Sequence, residues 1–190
     1  MKAMLSTIIN RLVPYIQGIP EGSASSEMLN FFARPLQDQP EIRRVAETGF
    51  NTGVSSGAFS SARTDTVVVW YDIGQHVSVS PANSAIDRRW PGRHQLIVGD
   101  STQTLPAYAR THPETRFDLI FIDGGHDYDV AMADLVNFQA LAHEHTIVVM
   151  DDLTPWWVWG QGRRGPGRRH CTLASLHRES CSRMASPQPR

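Results

Sequence analysis

From residue 43 onward, short apolar runs alternate with segments of helical periodicity. Val67-Val68-Val69-Trp70, Leu119-Ile120-Phe121-Ile122 and Ile147-Val148-Val149-Met150 are continuously apolar, the mark of strands covered on both faces. The pattern predicts strands at Val45–Glu47, Thr66–Asp72, Gln95–Val98, Phe117–Asp123 and Thr146–Met150, with helices near 53–62, 81–89, 102–111 and 128–142. Such alternation predicts an α/β fold, a doubly wound and mostly parallel sheet of about five strands. Two helices are expected ahead of it. One carries Met4, Ile8, Ile9, Leu12 and Ile16; the other is capped by Ser25 or Ser26, carries Met28, Leu29, Phe31 and Phe32, and stops before Pro35.

Three segments follow: a helical one over 1–42, the α/β domain over 43–159, and a tail over 160–190. The tail is rich in Arg, Gly and Pro, and no strand or helix is predicted after Trp159. The net charge of −1 hides an imbalance: the tail holds seven Arg against one acid, Glu179, and the rest holds 11 basic residues against 18 acidic ones. No apolar run approaches the roughly 20 residues of a membrane span, and the N-terminus does not read as a secretory signal, so a cytoplasmic protein without a membrane partner is expected. Cys171 and Cys181 lack metal-binding spacing and are expected to be free thiols.

Candidate chemistry lies at the strand ends. The first strand runs into Glu47-Thr-Gly-Phe-Asn-Thr-Gly53, where Gly49 and Gly53 let a backbone pass close to a ligand. The spacing is not the three-glycine fingerprint of pyrophosphate binders, which argues against a nicotinamide-dependent dehydrogenase. Asp72 ends the second strand, where a carboxylate can accept from both hydroxyls of a ribose or cap the next loop. Asp100 and Ser101 end the third, as helix caps or within reach of an adenine edge. The segment Phe117-Asp-Leu-Ile-Phe-Ile-Asp123-Gly-Gly-His126-Asp-Tyr128 is followed by Val148-Val-Met-Asp151-Asp152. Asp123, Asp151 and Asp152 would repel one another unless a cation joined them, and oxygen-only ligands suit Mg²⁺, Mn²⁺ or Ca²⁺. The bland alternative is that these acids cap turns and helices.

At these residues the sequence resembles class I S-adenosylmethionine-dependent methyltransferases, over about residues 43–157. ETGFNTG (47–53) is similar to their cofactor motif, Asp72 stands at the ribose acid, and GDST (99–102) at the adenine segment. FDLIFIDGGHDY (117–128) and VVMDD (148–152) resemble the metal-dependent small-molecule O-methyltransferases, such as those acting on catechol and caffeoyl-CoA, and still more the cephalosporin-hydroxylase and macrolide-sugar methyltransferase group. The resemblance implies methyl transfer from S-adenosylmethionine to a small-molecule hydroxyl. It implies that Glu47, Gly49, Asn51, Gly53, Asp72, Asp100, Ser101 and Asp123 hold the cofactor, and that Asp123, Asp151 and Asp152 hold Mg²⁺. His126 stands where the catechol-type enzymes have a lysine base, and His can serve near neutral pH.

Family members continue with a helix and two strands where this chain turns to Arg and Gly. The alternative expectation is thus a truncated or frameshifted, inactive remnant whose open fifth-strand edge pairs with a second copy. A basic arm for nucleic acid is a weaker reading, because no aromatic residue follows Trp159 for base stacking. Trp156, Trp157 and Trp159 either line a substrate pocket or are core side chains left exposed.

Overall fold

The continuously apolar runs form the strands of one sheet. A computed structural model of the chain describes residues 26–151 and 172–175. In chain order these are α1 (Ser26–Asp38), β1 (Arg44–Thr48), α2 (Val54–Ala62), β2 (Val67–Asp72), α3 (Val79–Arg89), β3 (His94–Val98), α4 (Ser101–Thr111), β4 (Phe117–Ile122), α5 (Tyr128–Phe138), a 3₁₀ turn (Gln139–Leu141), β5 (Ala142–Met150) and β6 (Thr172–Ser175). The sheet order is β3-β2-β1-β4-β5-β6. The first five strands are parallel, and β6 lies antiparallel on β5.

Successive residues of each inner strand enter opposite layers. Val45, Val68, Trp70, Leu119, Phe121 and Val149 pack with Leu36 of α1, Phe59 of α2 and Ile86 of α3. Ala46, Val69, Tyr71, Ile120, Ile122 and Val148 pack with Leu105 of α4 and with Leu135 and Phe138 of α5. With both faces covered, alternation of polarity has no physical reason to appear in these strands.

Three expectations need correction. The helix expected to stop before Pro35 runs through it to Asp38. Proline forfeits one helical hydrogen bond, at a cost of about 3 kcal/mol, but the continuation buries Leu36, and full burial of a leucine side chain returns about 1.5–3 kcal/mol. The helix expected over 128–142 ends at Phe138, and β5 begins at Ala142 rather than Thr146. The register with β4 shifts between Phe117 and Leu119. There the Thr146 hydroxyl donates to the Phe117 carbonyl at 2.7 Å and accepts from the His143 N–H at 2.8 Å. A polar His-Glu-His stretch at such an irregularity carries no strand periodicity.

The third correction concerns the tail, where no strand was expected. Thr172–Ser175 pairs with Ile147–Met150, so the β5 edge left open for a second copy is covered over those residues. Four residues are too few to show periodicity, and an edge strand recruits a partner through backbone groups whatever its side chains. Among the described residues the sheet edges are β3 and β6, and no helix is long and apolar enough to cross a membrane. The helix expected over residues 4–16, Asp152, the three tryptophans from 156 to 159, both cysteines and the tail arginines lie outside the described residues.

Candidate active site

In an open α/β sheet, ligands bind beyond the carboxyl ends of the strands, where the strand order reverses. Here the reversal falls at β1, between β2 and β4. The predicted residues line that edge: Glu47 to Gly53 run out of the end of β1, Asp72 is the last residue of β2, Asp100 and Ser101 follow β3, Asp123 follows β4 and Asp151 follows β5.

Hydrogen bonds tie these ends into one rim. Gly99 N–H donates to the Asp72 carbonyl at 2.8 Å, Gly49 N–H to the Tyr71 carbonyl at 2.8 Å, Asp123 N–H to the Thr48 carbonyl at 3.0 Å and Asp151 N–H to the Ile122 carbonyl at 3.0 Å. Asp72 joins two loops through its side chain, accepting from Asn51 N–H at 2.9 Å and from Gly74 N–H at 2.6 Å. Asn51 has a positive φ of 41°, and its side-chain oxygen accepts from the Ser78 hydroxyl at 2.8 Å.

The two glycines of the turn answer to packing first. A Cβ on Gly49, at φ 88°, would lie 1.9 Å from the Asp123 carbonyl oxygen, and one on Gly53 would lie 2.8 Å from the Phe50 ring. Phe50 in turn stacks on Trp70 with centroids 4.6 Å apart. Glycine is what lets β1 and β4 continue side by side into the crevice.

Glu47 sits where the sequence placed it, but its carboxyl is fully buried. The Ser55 hydroxyl donates to one oxygen, and the Ser56 hydroxyl to the other at 2.6 Å. Burial pushes its pKa up to about 8 against these two hydrogen bonds, and the Asp72 charge adds to the rise. In this structure each Glu47 oxygen accepts from a serine of the first turn of α2, whereas Asp72 accepts from the loops that follow β1 and β2.

Asp100 caps α4, its Oδ1 accepting from Thr102 N–H at 2.9 Å and from the Thr102 hydroxyl at 2.7 Å. His126 lies exposed on the loop between β4 and α5, and Asp151 is buried at the end of β5. Among the described residues no three His, Cys, Asp or Glu side chains gather as a metal site; Asp152, the third expected ligand, lies outside them.

Sequence reasoning missed Asp134. It is fully buried in α5, and burial raises its pKa, opposed by the nearby Ser101 and Thr48 hydroxyls and reinforced by the Asp100 charge. Neither of its oxygens, nor Thr48 Oγ1, has a hydrogen-bond partner in this conformation. The signal was present: an acid stands among Ala131, Leu135 and Phe138 on the apolar face of a predicted helix.

A family model described as a methyltransferase domain matches residues 46–153, more than half of the chain. The chain belongs to this family. The match takes in every predicted site residue from Glu47 to Asp152. Solved structures share the methyltransferase-domain fold. The O-methyltransferase TomG from Streptomyces achromogenes, in complex with SAM, is 20% identical with a TM-score of 0.65, over 86% of this chain and 71% of that one. The Bacillus cereus O-methyltransferase in complex with SAH is 20% identical with a TM-score of 0.64, over 78% of this chain and 66% of that one. The calicheamicin methyltransferase CalS11 is 15% identical with a TM-score of 0.62, over 90% and 92% of the two chains. The chain thus spans slightly less than two thirds of the Bacillus protein's length. A comparison with curated proteins gives no match.

Proposed function

We propose that this methyltransferase domain transfers a methyl group from S-adenosylmethionine to a hydroxyl of a small molecule, with a divalent cation at the acceptor end of the crevice. One observation carries the reading: Asp72, the pair Asp100 and Ser101, Asp123 and Asp151 stand at the carboxyl ends of four of the five parallel strands, along one rim, inside the family-matched span. The SAM and SAH held by the similar TomG and Bacillus structures support the donor. A cytoplasmic setting, where the donor is found, fits this reading.

In this reading Asp72 accepts from the ribose hydroxyls with the lone pairs that Asn51 and Gly74 leave free, since a carboxylate offers about four acceptor sites. Asp100 and Ser101 face the base. Asp123 and Asp151 end neighbouring strands, and this all-oxygen donor set suits a hard cation such as Mg²⁺, with Asp152 as third ligand. When bound, such a cation lowers the pKa of an acceptor hydroxyl and orients it. His126 would take the hydroxyl proton, and the donor, when bound, would supply a sulfonium methyl group to the oxygen and leave as a neutral thioether. Alignment of oxygen, carbon and sulfur supplies the remaining acceleration. CalS11, described as a TDP-rhamnose 3'-O-methyltransferase, supports a sugar hydroxyl as acceptor.

Calorimetry of the full chain with S-adenosylmethionine, S-adenosylhomocysteine and NAD tests the reading. Binding of the first two without the third is expected. Failure to bind either methyl-cycle ligand sinks it.

A further inference from the structure

At the amino ends of the strands, the edge opposite the crevice, a cavity of about 350 Å³ opens beside the last turn of α4. Val67 and Val69 of β2 and Gln95 of β3 line it, with Tyr108 of α4, Phe117 of β4 and Arg44 of β1. Small-molecule sites enclose roughly 300–1,000 Å³. Val69, Tyr108 and Phe117 are buried in one core layer, and the Tyr108 and Phe117 rings stand 6.3 Å apart at 24°. Val67 is 43% exposed, although β2 lies between β1 and β3 inside the sheet. An apolar side chain on an interior parallel strand is normally covered, so among the described residues this end of the layer is open.

Arg44 supplies the charge at this cavity. Its backbone N–H and that of Arg43 both donate to Asp118 Oδ2 at 2.8 Å, and His143 Nε2 lies 2.9 Å from Asp118 Oδ1. Arg43 faces Asp65 at 3.8 Å, and Arg63 holds the same carboxylate at 2.7 Å. The neighbouring acids are thus engaged, and among the described residues no acid pairs with the Arg44 guanidinium. An exposed arginine by itself is ordinary. At the lip of an apolar cavity its planar fork of donors matches a carboxylate, and its flat face tolerates an aromatic neighbour.

We propose that this cavity is a second ligand site, separate from the crevice, and that it takes a small aromatic carboxylate. The carboxylate faces Arg44, and the ring system lies on Val67 and against Tyr108 and Phe117. Among the described residues that line the cavity, Arg44 is the one guanidinium, and a single positive charge favours a carboxylate over a dianionic phosphate. The site stands apart from the methyl-transfer reading and does not depend on it.

The test titrates naphthoate calorimetrically into the full chain, with naphthamide and acetate as comparators. Naphthoate should bind at one site. Naphthamide, with the same rings and no charge, should bind about five- to tenfold more weakly, the worth of a partly exposed charged hydrogen bond. Acetate, with the charge and no rings, should give no binding heat. Arg44→Gln, whose backbone N–H still reaches Asp118, should lower naphthoate affinity by the same factor and leave naphthamide unchanged. Val67→Phe, which adds bulk at a half-exposed position of the lining, should weaken both. Excess S-adenosylhomocysteine should leave the naphthoate isotherm in place. Naphthoate that does not bind, or that binds Arg44→Gln as tightly as wild type, overturns the proposal. Displacement by S-adenosylhomocysteine does so too, because it puts the acid in the crevice. If Arg44→Gln does not fold, equal affinity of the wild-type chain for naphthoate and naphthamide overturns the proposal alone.

Discussion

The backbone N–H of Asn51 donates to the Asp72 carboxylate at 2.9 Å, so the side chain that ends β2 also holds the turn that leaves β1. Its second oxygen holds Gly74 at 2.6 Å. Asp72 therefore has a structural duty that precedes any ligand. Asp72→Ala frees both loops and should cost about 2–4 kcal/mol of stability, given the strength of hydrogen bonds to charged acceptors. Asp72→Asn keeps one carbonyl acceptor and should recover part of that in urea unfolding. Calorimetry separates the two duties: both variants should lose at least about tenfold in S-adenosylhomocysteine affinity. An Asp72→Asn protein that binds as tightly as wild type would show that the acid serves the loops alone.

Gly49 is predicted to be the least replaceable glycine of the rim. At φ 88° any side chain is strained, and a Cβ would meet the Asp123 carbonyl at 1.9 Å, a backbone atom that cannot step aside. Gly49→Ala should destabilise the domain by at least about 3 kcal/mol. Gly92 provides the control: it has φ 72° but nothing within 4 Å of the Cβ position. Gly92→Ala should cost only the backbone penalty of about 1–2 kcal/mol. Paired urea melts that give equal losses would show that conformational strain alone matters at Gly49.

These two residues also show what a sequence can and cannot disclose. The strand ends were legible because both-face burial writes continuous apolar runs such as Val67 to Trp70, and because the chemistry of an open α/β sheet collects at one edge. What Gly49 and Glu47 do there was not. A glycine needed for passage past Asp123 and one needed for a ligand look the same in a sequence. The pairing of Glu47 with Ser55 and Ser56 depends on a helix folding back over the strand, and a list of residues does not show that. Pro35 misled because propensity is a local argument, whereas Leu36 is fixed by distant core partners. The strand Thr172–Ser175 was invisible because its reason for existing lies in the open edge of β5.

Burial of Glu47 makes stability depend on pH in a defined direction. Its pKa rises from 4.5 to about 8 on folding, so the folded protein holds a proton that the unfolded chain gives up. The stabilisation is complete below the unfolded value and is lost as pH rises through the window up to about 8. The slope approaches about 1.4 kcal/mol per pH unit inside that window. Glu47→Gln, which stays neutral and can still accept from a serine hydroxyl, should flatten most of the dependence in urea unfolding between pH 5 and 9. Asp134, shifted in the same direction, leaves a residual slope. A Glu47→Gln profile parallel to wild type would mean that Glu47 is already ionised in the folded state.

The cation reading can be tested without knowing the acceptor. Mn²⁺ takes the same oxygen ligands as Mg²⁺ and is read directly by electron paramagnetic resonance, so titration of the full chain counts sites before any turnover is measured. Asp123→Ala and Asp151→Ala should each weaken Mn²⁺ binding by at least about tenfold, since each removes one carboxylate from a site built of few. His126→Ala should leave the titration unchanged, because a base that takes the acceptor proton need not hold the ion. Once an acceptor hydroxyl is found, the same His126→Ala variant should lower kcat on the order of 100-fold with S-adenosylhomocysteine affinity intact. Mn²⁺ binding that survives both aspartate changes would move the cation out of this rim, and hydroxyl activation would then rest on His126 alone.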